Sequence, residues 1–195
     1  MGDSITECCR ATVEPPLGGG YVQFVHCLLT AKYPERVVEI VNRGIDGETV
    51  EDLERRWERD VINERPDHLF VMIGVNDILY RAMDPSRAVW DEAYEAAYRR
   101  VLERTRSALD CRLTLMDPTP LEEDLTAESH EHARRLCAIV RQLADEYEAS
   151  HVPVFDAVFR AFEQSPDRGW MVDVPHPKLP GQAIVALEVL AHLGW

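Results

Sequence analysis

Four short blocks of the 195-residue sequence carry the side chains that acyl transfer needs. The first is Gly2-Asp3-Ser4-Ile5-Thr6, where a glycine permits the tight turn that would project a serine hydroxyl towards a carbonyl carbon. The second, Asn42-Arg43-Gly44-Ile45-Asp46-Gly47-Glu48-Thr49, places two glycines just ahead of a helix, whose unpaired N–H groups favour a negative charge. The third, Gly74-Val75-Asn76-Asp77, closes an apolar strand with an asparagine whose amide can face a developing oxyanion. The fourth, Asp173-Val174-Pro175-His176-Pro177, sets a carboxylate three residues before a histidine. Such an aspartate can fix the ring tautomer while the histidine shuttles the serine proton. Each block alone has a plainer reading: an N-cap serine, a βα loop, an Asx-turn, a solvated loop histidine. Together they supply a nucleophile (Ser4), a base with its orienting carboxylate (His176, Asp173) and three oxyanion donors, namely the N–H groups of Ser4 and Gly47 and the amide of Asn76.

The elements that must position these blocks follow from the hydrophobic pattern. Apolar strands are expected at Val37–Val41, Leu69–Ile73, Arg112–Met116 and Val152–Phe155, the kind that suits a parallel sheet covered on both faces. Helical stripes run through Val50, Leu53, Trp57 and Val61; through Trp90, Tyr94, Ala97 and Val101; and through Leu136, Ile139, Leu143 and Tyr147. A last helix is expected over Gln182–Leu193. The alternation predicts one α/β domain over residues 1–195, a three-layer α/β/α sandwich with a parallel sheet and its functional loops at the strands' carboxyl ends. No strand precedes Gly2. The expectation is therefore that the first strand is missing, that the natural chain starts upstream of Met1, and that the form starting at Met1 has a weakened fold and poor activity.

These blocks, in this order, resemble the signature blocks of the SGNH (GDSL-type) hydrolases across nearly the whole chain. Leu17-Gly18-Gly19-Gly20-Tyr21-Val22, Val41-Asn42-Arg43-Gly44-Ile45, Arg56-Trp57-Glu58-Arg59-Asp60-Val61 and Met72-Ile73-Gly74-Val75-Asn76-Asp77 are similar to the branch that holds acetylxylan esterases and other carbohydrate acetylesterases. The resemblance implies a flavodoxin-like sandwich and makes Gly47 the oxyanion glycine, leaving Gly44 to the turn. It also implies hydrolysis of small acyl esters, acetyl on carbohydrates, through an acyl-enzyme. Relatives carry a strand before the first block, and often a glycine where Cys9 stands, a serine at Asp46 and a tryptophan at Tyr80. Val174-Pro175 also replaces the more usual residues between the aspartate and the histidine.

Composition narrows the partners. A formal charge of -14 repels phosphate backbones, so nucleic acid is excluded and a small-molecule or carbohydrate ester is favoured. No apolar run reaches the ~20 residues of a membrane span, and no signal peptide opens the chain. Cys8, Cys9, Cys27, Cys111 and Cys137 form neither a disulfide framework nor a CxxC pattern, which points to reduced thiols and a cytoplasmic protein, unless an upstream signal precedes Met1. A homo-oligomer is compatible with this composition. Gly18–Gly20 lacks a dinucleotide fingerprint and no GxSxG elbow occurs. His130 and His132, two apart on a helix, do not share a face. No cofactor and no metal are expected. The alternatives are a lysophospholipase or thioesterase on the same scaffold, or a truncated, non-catalytic carbohydrate-binding protein.

Overall fold

The computed structural model describes residues 1–13 and 15–195. Its main sheet has three parallel strands in the order β1 (His68–Met72), β2 (Arg112–Met116) and β3 (Ser150–Val152). Val71 pairs with Leu115 and Met116 with Val152. The side chains of all four are buried, as expected of strands covered on both faces. One helical group joins α2 (Tyr21–Lys32), α7 (Val154–Gln164) and α8 (Leu179–His192). The other joins α3 (Val50–Trp57), α4 (Val75–Met83), α5 (Asp91–Ala108) and α6 (Ser129–Glu146), so the sheet lies between two helical layers. No helix among the described residues is long and apolar enough to cross a membrane.

Two expected strands differ. Val37–Val41 runs without ladder partners, and Val37, Val38 and Val41 are exposed. Beyond it the chain reaches Gly44, which bridges Gly2, and Gly2 bridges Met72 in turn, both in parallel. The Met1 nitrogen donates to the Phe70 carbonyl at 2.8 Å. Met1 and Gly2 thus occupy the place between Gly44 and β1, and they span only that end of the sheet. The expected strand Val152–Phe155 stops at Val152, because Val154, Phe155, Val158 and Phe162 bury one face of α7 at helical spacing. Trp90 also leaves its expected stripe: it caps α5 from outside, 57% exposed, under the Arg81 guanidinium.

The expected stripe of Val50, Leu53, Trp57 and Val61 is fully buried, and its helix continues past α3 as a π-turn over Glu58–Ile62. On this helix Arg56 is buried and fully engaged. It donates to Glu48 at 2.6 Å, to the Arg43 carbonyl and Asp60 at 2.8 Å each, and to the Gly2 carbonyl at 3.3 Å. Asp60, hydrogen-bonded first by Arg59 and then by Arg56, has its pKa lowered to about 2. One guanidinium therefore ties the residues flanking Ser4 to those flanking Gly47. Removing a buried cation leaves its carboxylates uncompensated, so Arg56→Leu is expected to cost ~3 kcal/mol or more in denaturant unfolding. A loss below ~1 kcal/mol would show that Arg56 is not a structural tie.

Candidate functional site

Ser4 opens the four-residue helix α1 (Ser4–Glu7), capped by Asp3, whose carboxylate accepts the Ile5 N–H at 3.0 Å. The helix stops at once, because Cys8 and Cys9 both take left-handed backbone angles, φ 38° and 60°. Such angles strain a non-glycine residue and suit glycine. Asp3 is buried beside the serine. Burial raises its carboxyl to about 7, against the opposing pull of the Ile5 N–H and of His176.

Asp173 and His176 stand on a two-stranded antiparallel hairpin, β4 (Met171–Asp173) and β5 (His176–Pro177). Its base is held by the Lys178 N–H on the Trp170 carbonyl at 2.7 Å. A second hold is the Met171 N–H on Glu123 at 2.6 Å. Asp173 faces His176 in the hairpin register, with Oδ1 2.5 Å from Nδ1. On the other side of the ring, Nε2 lies 2.9 Å from Ser4 Oγ. With the proton on Nδ1 donated to Asp173, Nε2 is left to accept the Ser4 hydroxyl. The arrangement is open, with His176 and Asp173 side chains 39% and 63% exposed.

The second block lies against the same turn. A Cβ on Gly44 would meet Glu7 N at 2.3 Å and the Asp3 carbonyl at 2.9 Å, so Gly44 serves close packing and not, as expected, a turn. Gly47 is the one with the left-handed angle, φ 72°. Asn42 sets the register: its amide nitrogen donates to the Thr6 and Leu17 carbonyls at 2.6 Å each, and its Oδ1 accepts the Gly44 N–H at 2.8 Å. Among the described residues neither the Ser4 N–H nor the Gly47 N–H is paired.

Asn76 is not in an Asx-turn. It sits in the first turn of α4, after Gly74 at φ 138°, and its amide donates one hydrogen to the Glu48 carbonyl at 2.9 Å. The other hydrogen remains for a ligand. Beside it Asp77 is fully buried, with Oδ1 accepting the Val50 N–H at 3.1 Å and so capping α3 from a neighbouring helix. Burial raises the Asp77 carboxyl to about 8, opposed by the Val50 N–H. The role of Asp77, a member of the third block, and the whole of Gln182 escaped the motif reading. Gln182 on α8 accepts the Tyr21 N–H at 3.0 Å and reaches the Ile5 carbonyl, bracing the serine turn from behind. Sequence spacing alone carries no signal for such contacts across the fold.

The remaining candidates point elsewhere. His130 is buried, Nε2 against the Asp124 carbonyl and the ring edge-on to Phe159, while His132 lies between Arg81 and Arg135. All five cysteines are free thiols.

The model of the GDSL-like lipase/acylhydrolase family matches residues 1–184. An acetylxylan esterase of Geobacillus stearothermophilus is 34% identical, with 100% of this chain and 92% of that one covered. Its solved structure, Axe2, aligns over 100% of this chain and 92% of its own at a TM-score of 0.91 and 32% identity. Structures of that enzyme titled catalytic mutants replace a serine, an aspartate or a histidine by alanine. LAE5, titled an alpha/beta hydrolase enzyme from the metagenome of Lake Arreo, is 30% identical at a TM-score of 0.91, over 99% of this chain and 92% of its own.

Two outcomes follow from the buried carboxyl and the strained turn. A carboxyl raised from 3.8 to about 8 stabilises the fold in its protonated form, fully at low pH, and that contribution is lost as pH rises through the folded value. Asp77→Asn keeps the acceptor and cannot ionise. Its Tm relative to wild type is expected to rise between pH 5 and pH 8.5, and parallel Tm curves would contradict a buried titrating Asp77. Cys9→Gly relieves a left-handed non-glycine residue and is expected to stabilise the protein by ~1 kcal/mol in denaturant; unchanged or lower stability would remove the strain.

Proposed function

The chain belongs to the GDSL-like lipase/acylhydrolase family and is a carboxylic ester hydrolase, and we propose that it removes acetyl groups from carbohydrate hydroxyls through Ser4, His176 and Asp173. The observation that carries this reading is the unbroken relay from Ser4 Oγ to His176 at 2.9 Å and on to Asp173 at 2.5 Å. Full-length similarity to an acetylxylan esterase supports the acyl group and the carbohydrate. The openness of the histidine and aspartate fits a substrate as bulky as an acetylated oligosaccharide. We read residues 1–195 as one catalytic domain, consistent with a family match over residues 1–184.

In the proposed reaction the Ser4 oxygen attacks the ester carbonyl carbon as its proton passes to His176 Nε2. Asp173 holds the imidazolium, and the tetrahedral oxyanion takes hydrogen bonds from the Ser4 N–H, the Gly47 N–H and the Asn76 amide. Collapse expels the sugar alkoxide, which leaves with the proton from Nε2, and an acetyl-serine remains. Water gives its proton to Nε2, adds to the acetyl carbon through a second oxyanion, and releases acetate as the proton returns to Ser4. Every proton gained by His176 is given back, and the step needs no further reactant.

A panel of p-nitrophenyl esters and acetylated xylo-oligosaccharides tests the proposal. Acetyl esters are expected to be the best substrates. Ser4→Ala is expected to lower kcat on the order of 10⁴-fold or more, because members of such a relay act as a unit. A steep preference for long acyl chains would transfer the assignment to a lysophospholipase or thioesterase. Ester cleavage that survives in Ser4→Ala would remove Ser4 from the mechanism.

A further inference from the structure

Gly47, the proposed oxyanion glycine, is held by two side chains that lie outside the four blocks. Its carbonyl accepts the Tyr80 hydroxyl at 2.9 Å and Arg87 Nη2 at 2.9 Å. Arg87 Nη1 also donates to the Tyr80 oxygen at 2.7 Å, and the guanidinium lies 4.0 Å from the centre of the Tyr80 ring. Asp52, in the first turn of α3, stands 3.6 Å from Arg87 Nη2. Tyr80 and Arg87 thus place two donors on one carbonyl oxygen, so both of its lone pairs are filled, and Asp52 stands behind the guanidinium.

The location gives this arrangement its consequence. Tyr80 follows Asn76 by four residues on α4, which puts the two side chains on one helix face. That face therefore grips two successive carbonyls, Gly47 by Tyr80 and Glu48 by Asn76. A glycine with a left-handed φ has little steric reason to keep one orientation, and a flip of a flanking peptide would turn an oxyanion donor away. Pinning the Gly47 carbonyl fixes the peptide that follows and so restricts that freedom.

We propose that Tyr80 and Arg87 form a latch on the Gly47 carbonyl and act as positioning residues for the oxyanion hole. The inference rests on the esterase reading and on Gly47 as its donor. Arg87 sits on the loop after α4 with its side chain 46% exposed, so one half of the latch comes from a mobile class of element and the other from a rigid helix. The latch touches neither the nucleophile nor the base. Its effect falls on the tetrahedral state, whose charge needs the donors, more than on the bound ester.

Tyr80→Phe removes the hydroxyl and keeps the ring beneath Arg87; Arg87→Gln removes the charge at an exposed position; the double variant removes both holds. With p-nitrophenyl acetate, kcat is expected to fall on the order of 10-fold in each single variant with KM within about twofold, since losing a donor outright costs more. Affinity for a phenylboronic acid, which forms a tetrahedral adduct on the serine, is expected to fall by the same factor as kcat. Arg87→Lys, which restores a cation and one donor, is expected to recover part of the loss. Unchanged kcat and boronate affinity in the folded double variant would overturn the latch, as would a rise in KM alone. Wild-type protein that cleaves no ester and binds no boronate would overturn the esterase reading and the latch together.

Discussion

One hydrogen bond, from Ser4 to the His176 ring, joins the two ends of the chain across a separation of 172 residues. Local sequence cannot make such a contact; it exists only if the sheet and both helical layers bring the two loops to one edge. The cost of ordering both partners is met elsewhere in the fold. Asn42, Arg56 and Gln182 tie the serine turn to α3 and α8 and to the second block, so that turn is held by contacts independent of the histidine. On the other side a hairpin of five residues in its two strands fixes Asp173 against His176. The candidate site is thus two small rigid pieces meeting at a single contact.

Rigidity near that contact has a cost in stability. Cys8 and Cys9 accept left-handed angles so that α1 can end after one turn. Asp3 and Asp77 are carboxyls buried at the price of a raised pKa, about 7 and about 8, because burial disfavours their ionised forms. Both accept an N–H at the start of a helix, Ile5 in one case and Val50 in the other. A neutral or ionised acceptor at those points keeps the serine turn and the loop after Gly47 in register. Strain and buried polarity gather where function needs fixed geometry.

Much of this was legible in the residues. The four blocks, β1, β2 and the stripe of α3 follow from glycine placement and apolar period, and all four blocks gather at one edge of the sheet. The unpaired stretch Val37–Val41 shows the limit of such reading: a strand needs a neighbour as well as a pattern, and only Gly44 meets one, in Gly2. Val154 and Phe155 show another, since a short apolar pair fits a strand end and a helix start equally well. Gly44 packs closely where a turn is expected and the left-handed angle falls on Gly47, because close approach and positive φ leave the same letter in the sequence. Tyr80 and Arg87 were invisible as a pair, because the carbonyl they share lies 33 and 40 residues away. On α4, which begins at Val75, the four-residue spacing of Asn76 and Tyr80 signals a shared face but not the glycine loop it meets.

The most direct measurement of the central claim is peptide mapping by mass spectrometry after treatment with an organophosphonate ester, a reagent that labels only an activated serine. A single adduct is expected, on the peptide containing Ser4, and none is expected when His176 is replaced by alanine. Labelling at another residue, or the absence of any adduct on the folded wild-type protein, would contradict the account.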